Sequence, residues 1–265
     1  MQVVGFDSGL DALHYDPVDG VTGAPESAAL LMAEGNAVRR ESLAPGAELK
    51  YSLGRRHCAG ALTGDTHVAC DEDGSPYCAE HADDWPCARC IGNCDKPLAS
   101  CEAEHAVYLA GFAPDVLKVG VTRLPRLPER LREQGADRAA HLHTVSDGRI
   151  ARRIEGELAE DLPDRVSMAT KLAGIAQPFD DTAWAAALDR YEVADTFSFD
   201  YRLELTERPL AETLATGTIV GTKGRLLVLE RAGGTYAVDL RDLIGYELEP
   251  GASDQDFQAS LGTFG

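Results

Sequence analysis

The chain has 265 residues, 44 acidic against 25 basic, for a formal net charge of −19. No apolar run approaches the ~18 residues that a membrane-spanning helix needs. The start lacks the basic-then-apolar pattern of a secretory leader, so a soluble, cytoplasmic protein with no membrane partner is expected. Arginine supplies 20 of the 25 basic residues. An acidic, lysine-poor surface of this kind is expected of a halophilic archaeon, whose hydrated carboxylates keep proteins soluble; an ordinary acidic cytosolic protein is the alternative. Salt at 1 M screens charge within about 3 Å, so acidity then counts little against nucleic acid as a partner.

Residues 1–56 read as an N-terminal β-containing segment. "MQVVGF" and "ELKYSLG" are strand-like, and "ESAALLMAEG" between them is read as a short alanine-rich helix. Residues 57–104 have almost no apolar periodicity. All seven cysteines fall there: Cys58, Cys70, Cys78, Cys87, Cys90, Cys94 and Cys101. A cytosolic chain that gathers every thiol in one core-poor stretch is not using them as buried hydrophobes, and an odd number fits disulfides poorly. His81, at C-x-x-H spacing from Cys78, brings the ligands to eight, enough for two tetrahedral zinc ions.

The simplest partition is sequential. Cys58, Cys70, Cys78 and His81 take one ion; Cys87, Cys90, Cys94 and Cys101 take the other. A cross-braced pairing, substitution by His57, His67 or His105, and an iron–sulfur cluster on four cysteines are alternatives. Four protein ligands leave no open position on the metal. The zinc is therefore expected to be structural and to supply the folding free energy of this module.

Residues 105–195 alternate strand, strand, helix, strand, helix, with trailing helices. "HAVYLAGF" and "LKVGVTR" suit a hairpin across "APD", and "LPERLREQGA" a helix stopped at Gly135. "AAHLHTVSDG" is the third strand and "RIARRIEGELAEDL" the second helix, before Pro163. Glu155 lies along that helix's apolar stripe with Ala151, Leu158 and Leu162. A carboxylate there is costly unless it pairs or faces a site. Asp180 or Asp181 can cap "DDTAWAAALDRY". From 196 to 250, "TFSFDYRLEL" alternates like a half-buried strand. "GTIVGTKGRLLVLERAGGTYAVDLRDLIGYELEP" reads as a small antiparallel meander turning at Lys223-Gly224 and Gly233-Gly234. Residues 251–265 are expected to fray.

Between 118 and 138 stand six basic residues (Lys118, Arg123, Arg126, Arg130, Arg132, Arg138) against three acidic ones. Arg149, Arg152 and Arg153 extend this basic island. Arginine's planar fork suits phosphate oxygens. The bland readings are a core aromatic at Tyr108, snorkelling cations at Lys118 and Arg130, and a Glu155 that merely pairs with Arg152.

Tyr108, Lys118-Val119-Gly120 with Thr122, Arg130 in one helix and Glu155 in the next resemble the GIY-YIG nuclease superfamily, in its branch where "KVG.T" replaces "YIG". The cysteine-rich segment, "H.VYLA", "LKVGVTR", the helix ending "QGA" and the "GTKGRLLV" meander are together similar to the zinc-containing domain-of-unknown-function family numbered 2797. This second resemblance spans roughly residues 50 to 250. The first implies an activating tyrosine at Tyr108, a phosphate-stabilising arginine at Arg130 and a magnesium-holding carboxylate at Glu155. Lys118 stands where the second tyrosine would be. No late asparagine follows Glu155, and Arg126 competes with Arg130 because the loop before the helix is longer than usual.

The expected protein is α+β: a GIY-YIG-like ββαβα core, a cysteine-rich two-zinc module and a small C-terminal antiparallel β meander. The expected function is zinc-stabilised binding of DNA or RNA through Lys118, Gly120, Thr122, Arg123, Arg126, Arg130 and Arg132. The alternatives are a magnesium-dependent endonuclease using Tyr108, Lys118, Arg130 and Glu155, or a non-catalytic zinc protein with a protein or ribosomal partner.

Overall fold

A computed structural model describes residues 1–9, 27–82 and 99–251. Among them, no helix is long and apolar enough to cross a membrane. The architecture is mixed α+β and mostly sheet. The chain opens with β1 (Gln2–Asp7), β2 (Ala29–Glu34), β3 (Ala37–Ser42) and β4 (Glu48–Arg56), then the short hairpin β5 (Ala61–Thr63) and β6 (Thr66–Val68). The middle contains β7 (His105–Phe112), β8 (Val116–Arg123), α1 (Leu127–Glu133), β9 (Arg138–Val145), α2 (Gly148–Leu158), α3 (Met168–Gly174), α4 (Asp181–Leu188) and β10 (Asp195–Ser198). The end contributes β11 (Leu210–Ala211), β12 (Ala215–Lys223), β13 (Leu226–Arg231), β14 (Gly234–Asp239), α5 (Leu240–Leu243) and β15 (Tyr246–Pro250).

The alanine-rich helix expected around "ESAALLMAEG" is a strand instead. β2 pairs with β1 on one side and β3 on the other, and buries Ala29, Leu30, Met32 and Ala33. A short apolar run fits either structure, and here two strand neighbours decide it. The overlooked signal is Gly35-Asn36, a hairpin turn with Gly35 at φ 60°.

The two β-rich ends of the chain form one sheet of eleven strands, in the order β11-β14-β13-β12-β4-β15-β1-β2-β3-β6-β5. β4 joins the halves by pairing antiparallel with both β12 and β15. The expected meander therefore holds as β12-β13-β14, while β15 leaves it to lie between β4 and β1. Leu30, Met32, Leu49, Ile219, Leu229 and Leu248 share its core.

The four-stranded second sheet runs β10-β9-β7-β8, with β7 and β9 inside. Alternation along β7 divides its side chains between two faces. Ala106, Tyr108, Ala110 and Phe112 pack with Leu127 and Leu131 of α1; Val107 and Leu109 pack with Ala151 of α2 and Trp184 of α4. α4 is capped by Asp180, whose carboxylate accepts the amides of Thr182 and Ala183. Along the edge of β8, the Val119 amide donates to the Pro163 carbonyl at 3.0 Å. β10 is shorter than its alternation predicts. It ends at Ser198, and Arg202 turns the chain at φ 51°, sending Leu203 and Leu205 against α3 and the meander.

Two sequence motifs turn out to be one contact. Gly135 ends α1 at φ 71°, and Gly224 turns β12 into β13 at φ 58°. A Cβ on Gly224 would stand 2.5 Å from the Gly135 nitrogen and 2.7 Å from the Glu133 carbonyl. Beside them, Lys223 Nζ donates to both oxygens of Asp137 at 2.6 and 2.8 Å. Asp137 also accepts the Ala113 amide at 2.8 Å. "QGA" and "TKG" thus clamp the two sheets together.

Candidate functional site

Cys58 follows β4, Cys70 follows the β5–β6 hairpin, and Cys78 and His81 share a turn in which the His81 amide donates to the Cys78 carbonyl at 3.0 Å. Gly74 permits that turn to close: a Cβ there would stand 2.6 Å from Cys78 Cα. The three sulfurs and one His81 ring nitrogen lie within 4.8 Å of one another. Cys58 Sγ and Cys78 Sγ are 3.5 and 3.2 Å from His81 Nδ1, and Cys70 Sγ is 3.9 Å from Cys78 Sγ. A tetrahedron with zinc–sulfur bonds of ~2.3 Å and a zinc–nitrogen bond of ~2.0 Å has edges of about 3.5–3.8 Å. The donor set and its spacing fit a zinc ion with all four positions filled by protein. Burial raises the Cys58 thiol's pKa, but amides of Cys78 and Gly60 donate to its sulfur and lower it overall, whereas the Cys70 thiol, against an amide hydrogen bond from Glu72, is raised by burial and by its contacts with Cys58 and Cys78.

The other histidines considered are engaged elsewhere. His57 Nδ1 faces the Cys70 carbonyl at 2.9 Å, His67 lies between the carbonyls of Ala59 and Gly35, and His105 Nδ1 faces the Ala103 carbonyl. Of the second expected ligand set, Cys101 is buried in the turn Ala99–Glu102. Cys87, Cys90 and Cys94 lie outside the described residues.

A cleft of about 1040 Å³ lies where β8, α1 and α2 approach the end of β1. Tyr108, Lys118, Gly120, Arg130 and Glu155 all line it. So do Gln134, Arg152 and Lys171. Tyr108 is 1% exposed and pairs across strands with Gly120. The register of β7 against β9 shifts at Val107 and Tyr108, a bulge of the sort that re-aims a side chain. Gly120 seats the tyrosine ring, since a Cβ there would stand 2.5 Å from the phenolic oxygen.

The tyrosine hydroxyl accepts a hydrogen bond from Gln134 Nε2 at 2.7 Å. Burial raises its pKa against the opposing influence of Arg130, so it remains a phenol with a proton to donate. Lys118 is pushed down to about 8, first by burial and then by Arg130. Lys171 is pushed down to about 7, first by burial and then by Lys118. Its Nζ donates to the Gln134 carbonyl at 2.7 Å and stands 4.5 Å from the centre of the Phe112 ring. Among the described residues, neither lysine has a carboxylate within ion-pair distance.

Glu155 is only 13% exposed and accepts from Arg152 Nη1 at 2.7 Å, so its charge is already matched. The basic island is likewise largely committed. Arg126 pairs with Glu129 and Glu133, Arg130 with Glu133, Arg138 with Asp181, and Arg149 with Asp147. Arg130 lines the cleft and Arg126 does not. Arg123 is exposed at the end of β8, Thr122 is half-buried, and both lie outside the cleft wall. Arg132 is 7% exposed and presents no surface to a large ligand. Gln134 and Lys171, also on the cleft wall, carry no distinguishing local pattern. Gln134 was visible only as part of "QGA", and Lys171 as one lysine in a chain holding five.

No curated protein and no solved structure matches the chain. The span from 86 to 208, which includes Tyr108, Lys118, Arg130, Glu155 and Lys171 but neither the cluster from Cys58 to His81 nor the meander, matches the family described as protein of unknown function DUF2797.

Proposed function

We propose that the protein binds nucleic acid at this cleft, with zinc holding the cysteine-rich segment as scaffold. The supporting observation is that Tyr108, Lys118 and Arg130, drawn from three elements, line one cleft with Lys171. A phosphate there would meet two lysines without carboxylate partners, the tyrosine proton and the guanidinium of Arg130, of which one nitrogen is held by Glu133, and these are donors that phosphate oxygens require. The reading is supported by the order β7-β8-α1-β9-α2, which is the ββαβα order expected of a GIY-YIG-like core, and by Tyr108, Arg130 and Glu155 lining one cleft, as the roles that resemblance implies would require. Binding is favoured over cleavage because Glu155, the carboxylate that would hold magnesium, is paired with Arg152.

The test measures binding of labelled DNA and RNA, in single- and double-stranded form, at the salt concentration at which the protein is folded. Lys118→Ala combined with Arg130→Ala is expected to weaken binding about tenfold or more and to flatten its salt dependence. Unchanged affinity in the double variant would sink the proposal. A magnesium-dependent cut that disappears in Glu155→Gln would instead establish an endonuclease.

A further inference from the structure

The cleft has two walls of different origin. One belongs to the four-stranded unit. The other is the end of β1 with the residues after it, Phe6 to Gly9, together with Leu31 of β2. The cleft therefore faces a second sheet rather than open solvent on that side. Its volume of about 1040 Å³ sets a scale for what it can contain. A single base pair of duplex, about 20 Å across with a rise of 3.4 Å, fills roughly 1000 Å³. One pair cannot enter without its neighbours, whereas about two nucleotides of a single strand have room.

The chemistry of the walls points the same way. Phe6, Leu31, Val166 and Met168 give a mostly polar cleft an apolar part. The outside of a duplex offers mostly phosphate and sugar to such a surface, but an unpaired base offers a ring to stack. The acidic groups on the walls have arginine partners. Asp7 pairs with Arg40 at 2.8 Å, Glu155 with Arg152, Glu129 and Glu133 with Arg126 and Arg130, and Asp164, more loosely, with Arg165 at 3.8 Å. What remains for an anion is Lys118, Lys171 and the proton of Tyr108. Cations for the backbone and an aromatic ring for a base are the combination by which proteins hold single strands without reading sequence.

We infer that the cleft takes a single-stranded segment of nucleic acid and excludes the duplex, with a phosphate against Lys118 and Lys171 and a base stacked on Phe6. This rests on the reading of the cleft as a nucleic-acid site. It makes Lys171 and Phe6 binding residues beside Lys118, Arg130 and Tyr108.

The experiment compares the full chain's affinity, by fluorescence anisotropy, for a labelled short oligonucleotide and for a blunt duplex of the same sequence. The single strand is expected to bind about tenfold tighter or more. Lys171→Ala and Phe6→Ala should each weaken it several-fold. Phe6 also packs against the large-sheet core, so Phe6→Leu, which keeps an apolar side chain but removes the ring, is measured alongside; it too should weaken single-strand binding. A duplex that binds as tightly as the single strand, with loss in the Lys118 and Arg130 variants, overturns the single-strand inference and leaves nucleic-acid binding standing. Single-strand binding indifferent to both Phe6→Leu and Lys171→Ala places the strand elsewhere and also overturns it. Failure of both probes to bind overturns the nucleic-acid reading and this inference together.

Discussion

At the cysteine cluster, four donors come from one stretch between Cys58 and His81 and close on a single point. At the cleft, Tyr108, Lys118, Arg130, Glu155 and Lys171 come from β7, β8, α1, α2 and α3 and line a volume rather than a point. The cluster's chemistry belongs to the residue types themselves: three thiols and an imidazole at that spacing have few other uses. The cleft's chemistry is produced by folding, because burial and neighbouring cations set what each group can do. Removing one cluster ligand should therefore damage structure, whereas removing one cleft residue should alter a ligand equilibrium.

The largest effect is expected from Cys78→Ser. Its sulfur lies near both Cys70 Sγ and His81 Nδ1, so its loss opens the tetrahedron. Elemental analysis of the parent should give at least one zinc per chain, and two if Cys87, Cys90, Cys94 and Cys101 hold a second. The variant should lose the cluster's ion and more than ~4 kcal/mol of stability. A variant free of that metal but with an unchanged denaturant midpoint would show that the cluster is not a structural centre.

Gly120→Ala comes next and tests whether the cleft is as tightly built as its tyrosine suggests. The added Cβ would meet the Tyr108 ring, itself held by Gln134. Overpacking of this kind costs about 1–3 kcal/mol. The expected result is a lower thermal midpoint together with weaker nucleic-acid binding. A midpoint equal to the parent's would mean that the ring has room to move.

How much of each site can be read from sequence follows from the same contrast. The set Cys58, Cys70, Cys78 and His81 is legible because metal ligation restricts residue type and spacing. The hairpin, α1, β9 and α2 are legible because their periodicities are local, and Tyr108, Lys118, Arg130 and Glu155 can be nominated on them. The neutralisation of Glu155 by Arg152 is visible only as one option among several. Lys171 is not legible as a cleft residue, since the stretch that brings α3 against the β7–β8 turn at Ala113 has no local signature. Nor is the second wall: Phe6 lies more than a hundred residues before α1 in the chain, and β2 itself reads as a helix until its strand neighbours are seen.

A pH titration separates what the two lysines do to stability from what they do to binding. Lys118 faces Arg130, Glu155, Asp164 and Arg152, and Lys171 faces Lys118, Arg225, Arg130 and Asp239. Their pKa values fall from 10.5 to about 8 and about 7 on folding. Between those folded values and 10.5 the unfolded chain holds more protons, so both lysines make the protein more stable as pH rises through that window. An anion needs them charged, so affinity should fall over the same rise. Roughly a tenfold loss of binding between pH 6.5 and 9 is expected, with no accompanying loss of folded protein from these two groups. Affinity flat across that range would remove the lysines from the site.

The smallest effect is expected at Arg126, and it decides which surface of α1 matters. Its guanidinium is tied to Glu129 at 3.1 Å and to Glu133 at 2.9 Å, it is 42% exposed, and it does not line the cleft. Exposed pairs of this sort contribute ~0.2–1 kcal/mol at most. Arg126→Ala should therefore shift stability by about 0.5 kcal/mol or less and change affinity by no more than about twofold. Arg130→Ala, one turn further along and on the cleft wall, should cost several times more affinity. Arg126 stands at the start of α1 and Arg130 within it, and the two variants remove the same charge, so long-range attraction cannot distinguish them, least of all at high salt. Equal losses would move the binding surface from the cleft to the outer face of α1. A loss confined to Arg130→Ala would tie recognition to the cleft that Tyr108 and the lysines share.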